Sequence, residues 1–179
     1  LRSMLLPMTE KKIAKPQYVE RDFYVDDLLL PAVQAFIQES KEPQLVIELE
    51  KPLNNRNKSV GGQLAVDIER MLNHEKAISS KSVFKDNRGR RFLDYDSVKI
   101  ISCGSAGQSF GVFCNDGMTF DHTGTCNDGV GKGACGGKII VRSPLGGGDQ
   151  DGENVLVGNF TLFGATGGRM FIEGQAGDR

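Results

Sequence analysis

Glycine is distributed along this chain in a way that few folds accommodate. Of the 23 glycines, Gly61, Gly62 and Gly89 precede Cys103, and the other 20 follow it. A break of that size separates two kinds of structure. Beyond it the chain repeats. Three stretches have the form G-x-x-x-G followed by apolar residues: Gly107 to Gly111 with Val112 and Phe113, Gly133 to Gly137 with Ile139 to Val141, and Gly164 to Gly168 with Met170 to Ile172. Short alternating segments lie among them, at Val98 to Ile100, Met118 to Phe120 and Val155 to Gly158. Short strands joined by recurrent glycine corners predict a β-solenoid, in which each coil buries its inward residues only by stacking on the next. Glycine suits the corners because it tolerates positive φ and close contact with the coil above.

The glycine-poor front part reads differently. From Asp26 to Ser40, Leu29, Val33, Phe36 and Ile37 recur at three- and four-residue spacings and predict a helix, with Asp26 or Asp27 near its start and Pro31 in its first turns. Gln44 to Leu49 alternates and predicts a strand ended by Pro52. Ser59 is the expected cap of a second helix whose stripe is Val60, Leu64, Ile68, Met71 and Leu72. Gly61 and Gly62 in its first turn weaken a helix, and close packing against another backbone is the expected reason. The basic stretch 81–91 (Lys81, Lys85, Arg88, Arg90 and Arg91) reads as a solvated turn around Asn87 and Gly89 rather than a phosphate site. The expected organisation is an extended segment 1–25, a helix–strand–helix region 26–95, and a glycine-repeat β-structure 96–179 that stops short of its natural end or has its open edge covered by a partner. The start on Leu fits a processed end or a piece of a longer protein.

Composition narrows the function. Net charge is −1, from 22 basic and 23 acidic residues, so nothing calls for nucleic acid or an anionic membrane. No apolar run approaches the roughly 20 residues of a bilayer span. Residues 1–8 resemble the start of a signal peptide, but the apolar stretch is too short. Cys103, Cys114, Cys126 and Cys135 contain no C-x-x-C pair and match no iron–sulfur spacing. Reduced, inward-packing thiols in a cytoplasmic protein are expected.

Several segments match a known family in order and at compatible spacing. Gly104-Ser-Ala-Gly107-Gln-Ser-Phe-Gly111, Asn127-Asp-Gly129-Val-Gly131-Lys-Gly133 with Gly136 to Val141, and Gly158-Asn159 with Leu162 to Gly168 resemble the C-terminal glycine-repeat (GXGXG) domain of the glutamate synthase large subunit. Asn54 to Gly61 resembles the Asn-x-Arg-x-x-x-Val-Gly run that leads into the family's helix. The resemblance covers roughly residues 26–179 and leaves residues 1–25 and 81–91 unplaced. It implies an all-β-dominated, right-handed parallel β-helix preceded by two helices and a strand. It also implies a parent oxidoreductase that moves the amide nitrogen of glutamine onto 2-oxoglutarate. The parent's amidotransferase domain carries the nucleophile, and its synthase domain holds FMN and an iron–sulfur cluster. Those domains are the implied partners, and a homo-oligomer stays open. No catalytic, cofactor or metal residue carries over to this chain, and no activity is expected from it alone. The residues that do carry over are structural glycines: Gly104, Gly107, Gly111, Gly129, Gly131, Gly133, Gly137, Gly158, Gly164, Gly168, Gly174 and Gly177.

Other readings fare worse. Gly131 to Gly136 satisfies G-x-G-x-x-G, but a dinucleotide site needs a helix next and the sequence continues as a strand. Gly147 to Glu153 is acidic yet lacks the spacing of a calcium loop. His122 reads as solvent-facing or internally satisfied, because Asp121 beside it points to the other face of a strand. A formylmethanofuran dehydrogenase subunit has a similar domain, but Asn54 to Gly61 favours glutamate synthase. A carbohydrate-active β-helix needs an aromatic sugar platform, and this chain has no Trp and three Tyr.

Overall fold

Helix α1 (Val25–Glu39) buries Val25, Leu29, Val33, Phe36 and Ile37, the stripe that the spacing predicts. The computed structural model describes residues 25–74, 78–144 and 151–178. The expected extended segment and most of the acidic loop fall outside them. Strand β1 (Leu45–Glu48) follows, and then helix α2 (Gly62–His74), whose buried face is Gly62, Leu64, Ala65, Ile68, Met71 and Leu72. A hairpin of β2 (Val83–Lys85) and β3 (Arg91–Leu93) leads into the strand series. That series is β4 (Val98–Ala106), β5 (Met118–Cys126), β6 (Cys135–Arg142), β7 (Val155–Val157), β8 (Gly167–Ile172) and β9 (Gln175–Ala176).

These strands form one seven-stranded sheet of order β1-β4-β5-β6-β8, with β7 beside β5 and β9 beside β7. Every pair in it is parallel. Pairing runs in register, with Val98 to Ala106 opposite Met118 to Cys126 and Thr119 to Thr123 opposite Lys138 to Arg142. One core cluster joins the α1 and α2 stripes to Ile100, Phe110, Met118, Phe120, Ile139 and Val141. Among the described residues, no helix is long and apolar enough to cross a membrane.

The architecture corrects the expected β-helix. The domain is α/β, a mostly parallel sheet flanked by helices, and only 33% of it is strand. Recurrent strands and glycine corners announce parallel stacking. They do not decide whether the layers close into a tube or share one sheet, and they carry no information about the two front helices. The repeat frame was also offset. Val112 and Phe113 belong to a turn, whereas Gly136, Gly137, Gly167 and Gly168 lie inside β6 and β8.

A second correction concerns the start of α2. Ser59 does not cap it by adopting an extended backbone; its φ is 55°, in the left-handed region. The carboxylate of Asp26, from the first turn of α1, caps instead. Its Oδ1 accepts from the Gly61 N–H at 2.7 Å and its Oδ2 from the Leu64 N–H at 3.0 Å. Those donors would otherwise be orphaned at a helix terminus. Burial pushes the Asp26 carboxyl above its ordinary value, against the pull of the Gly61, Leu64 and Gln63 amides. Gly61 and Gly62 are packed as expected, but against side chains rather than backbone. A Cβ on Gly61 would collide with the Phe120 ring, and one on Gly62 would lie 2.6 Å from Val112 Cγ1.

One consequence is measurable by urea denaturation. Asp26→Ala leaves two buried amides without an acceptor and lowers stability by about 1–3 kcal/mol. Asp26→Asn keeps one acceptor oxygen and loses less. Equal losses would show that side-chain packing, not the carboxylate–amide bonds, fixes α2 against α1.

Candidate functional site

The resemblance motifs meet in a stack of turns at the ends of the strands. Residues 109–113, 129–133 and 160–164 form three successive layers, and the layer below them begins at Ser59. Each layer alternates left-handed and ordinary residues. The positive φ values fall on Ser109, Gly111 and Phe113, then on Gly129, Gly131 and Gly133, then on Phe160, Leu162 and Gly164. Alternation sends backbone groups up and down in turn, so each layer bonds to both neighbours. Ser109 N–H donates to Asp128 O at 2.8 Å and Gly129 N–H to Asn159 O at 2.9 Å. Gly131 N–H donates to Phe110 O at 2.9 Å and Gly133 N–H to Phe163 O at 2.9 Å.

The middle layer is the literal G-x-G-x-G, and its neighbours explain why. An added Cβ on Gly131 would lie 2.8 Å from Leu162 Cδ2, and one on Gly133 would lie 2.9 Å from two atoms of the Phe113 ring. Phe160 covers Gly129 in the same way. Bulky left-handed residues of the outer layers therefore sit on the glycines of the middle one. Non-glycine left-handed residues are strained and rare, and nothing in the sequence marks Phe113, Phe160 or Leu162 as such.

The glycines singled out from sequence fall into two geometries. Gly104, Gly111, Gly129, Gly131, Gly133, Gly137, Gly164 and Gly168 have positive φ. Gly107, Gly158, Gly174 and Gly177 lie where a Cβ would crowd Asn55 O, Asp128 Oδ1, Asn154 O and Asn159 Oδ1 respectively. The tightest place is elsewhere. Gly124, opposite Gly104 in the β4–β5 register, has φ 141°, and a Cβ there would collide with Gly104 O. Sequence reasoning missed it, although the 20-residue step between Gly104 and Gly124 equals the β4–β5 offset.

The reactive side chains are engaged internally. His122 is fully buried, with Nε2 at 3.2 Å from both Gly104 O and Thr125 O. Both partners only accept, so Nε2 carries the hydrogen and Nδ1 accepts from the Ser102 hydroxyl at 2.9 Å. A serine donating to a histidine resembles a nucleophile and its base, but Ser102 is 4% exposed and His122 0%, so no substrate reaches the pair. The imidazole also packs against Phe110, ring centroids 5.1 Å apart. Burial pushes its pKa below the ordinary value, opposed by the Thr125 and Gly104 carbonyls. On the outer face, Asp121 meets Lys99 at 2.9 Å and Arg142 at 2.7 Å, and Asp96 meets Lys138 at 2.7 Å. Burial acts to raise both carboxyls, but the cations outweigh it and hold them below their ordinary values.

The cysteines are only partly as expected. All four are free, but Cys103 and Cys135 are exposed rather than inward-packing. Cys103 lies at an outward position of β4, and Cys135 is the first residue of β6. Burial pushes the Cys114 and Cys126 thiols up to about 12, which keeps them protonated and poor metal ligands. Among the described residues, no group of three or more His, Cys, Asp or Glu side chains is placed to hold a metal ion. The amides of Ser109, Gly129, Gly131 and Gly133 are bonded to neighbouring layers, and those of Val112, Lys132 and Phe163 within their own. Gly131 to Gly136 runs directly into strand β6, whereas a dinucleotide-binding turn leads into a helix.

Two measurements probe this arrangement. Gly124→Ala, which meets fixed backbone, destabilises by more than about 3 kcal/mol or prevents folding. Gly164→Ala has open space and bears only the left-handed penalty of about 1–2 kcal/mol. Similar losses in denaturant melts would refute the layer-contact account. For His122, the depressed folded pKa means that the unfolded chain takes up a proton first as pH falls below about 6.5. The histidine's contribution is therefore complete above that value and declines as the pH drops through the folded pKa. Thermal melts from about pH 7.5 to pH 5.5 should show a downward slope in the wild type that His122→Gln, though less stable throughout, lacks. Parallel slopes would mean that another group titrates.

The comparisons with known proteins agree with this geometry. A family model described as the GXGXG motif matches residues 26–179. The large chain of the NADPH glutamate synthase of Bacillus subtilis is 39% identical over 151 residues, covering 84% of this chain and 9% of the relative. The NADH glutamate synthase of Saccharomyces cerevisiae is 41% identical over 119 residues, covering 65% of this chain and 6% of the relative. The ferredoxin-dependent enzyme of Antithamnion sp. is 33% identical over 155 residues, covering 87% of this chain and 9% of the relative. The chain thus spans less than a tenth of the length of each of these relatives. By its motif, its coverage and its identity to them, it belongs to the GXGXG family as a glutamate synthase domain.

Proposed function

We propose that this domain is the scaffold of a glutamate synthase. It holds in register an amidotransferase module, which releases ammonia from glutamine, and an FMN-binding synthase module, which condenses that ammonia with 2-oxoglutarate, releasing water, and reduces the product to glutamate with two electrons from a nicotinamide or ferredoxin donor. In this reading the parent is a cytoplasmic oxidoreductase of nitrogen assimilation, and its FMN and iron–sulfur cluster belong to the synthase module. The glycines of the turn stack have a structural role: they let the layers approach closely enough to form a stiff body.

The observation that carries the reading is the apolar outer layer. Phe163 is 64% exposed, with Phe160 and Leu162 of the same turn also exposed, and Phe171 on β8 is 54% exposed. Exposed apolar groups gathered in one turn mark interaction surfaces. Here they are carried on a sheet whose backbone bonds and ion pairs keep it rigid. A rigid plate with an apolar end is suited to fixing the separation of two modules, so that ammonia passes between them without escaping to solvent.

The test is co-elution of this chain with separately produced amidotransferase and FMN-binding synthase modules from the same source. Association with both is expected, weakened about tenfold or more by Phe163→Ser with Phe171→Ser. Failure to bind either module would count decisively against the scaffold role.

A further inference from the structure

We draw no further inference here: the strongest candidate, the groove that Leu28 and Leu29 of α1 form with Ile47 and Leu49 beside the outer edge of β1, which has no strand partner among the described residues, carries nothing because nothing in the structure shows what covers it.

Discussion

Parallel register between stacked strands is the constraint on which the rest of this domain depends. Because β4, β5, β6 and β8 repeat the same course, residues of one layer sit on counterparts in the next, with one irregularity between Cys135 and Lys138 where β6 meets β8. At particular positions within the strands, counterparts come together backbone to backbone. At Gly124 the Gly104 carbonyl lies where a side chain would begin, and at Gly168 the Gly136 carbonyl is 2.6 Å from the same point. Glycine there is a condition of assembly, because the contact is with rigid backbone. At Gly131 the contacts are flexible ends, Leu162 Cδ2 and Met170 Cε, which can give way. A single motif thus contains glycines that are indispensable for different reasons and to different degrees.

Stacking of the turns adds a second rule, that each glycine of the middle layer faces a bulky left-handed residue of a neighbouring layer. Phe113 lies over Gly133, Phe160 over Gly129 and Leu162 over Gly131. Each bulky residue accepts an unfavourable backbone conformation, about 1–2 kcal/mol. In return, its side chain fills the space that the glycine below leaves open. The backbone geometry of the three layers is shared, and only the distribution of volume differs. A motif defined by glycine spacing alone detects the middle layer and underreads its neighbours, although all three have the same conformation.

This explains what the sequence made legible and what it did not. Helix α1, strand β1 and the parallel repeat were readable because periodic burial leaves a periodic pattern. The cap on α2 was not, because its acceptor, the Asp26 carboxylate, lies 35 residues from Gly61 and local motifs point to Ser59. The closed β-helix was a misreading of a true signal, since corners and strands recur in either architecture and the two front helices weigh against it. The exposed placement of Cys103 was within reach. In β4 it alternates with the buried Ser102 and so shares the outward face with Lys99 and Ile101. His122 was read as solvent-facing or internally satisfied; the structure buries it, and its partners at Gly104 and Thr125 depend on tertiary register. The basic stretch 81–91 was read as a turn, which it contains, while the cross-strand pairing of Lys85 with Arg91 needed the structure.

The same register accounts for where function can reside in such a domain. Ser102 and His122 are paired as a nucleophile and its base would be, and stacking buries them against Phe110. The deeply buried thiols, Cys114 and Cys126, stay protonated for the same reason. Layering therefore converts potentially reactive groups into internal fasteners, since a group shared between adjacent strands has no free direction left for a substrate. Surfaces that the layers do not cover escape this fate. The turn at Phe160 to Phe163 is one of them, with its apolar side chains exposed. On the scaffold reading, a body built this way contributes to chemistry by fixing where other groups stand.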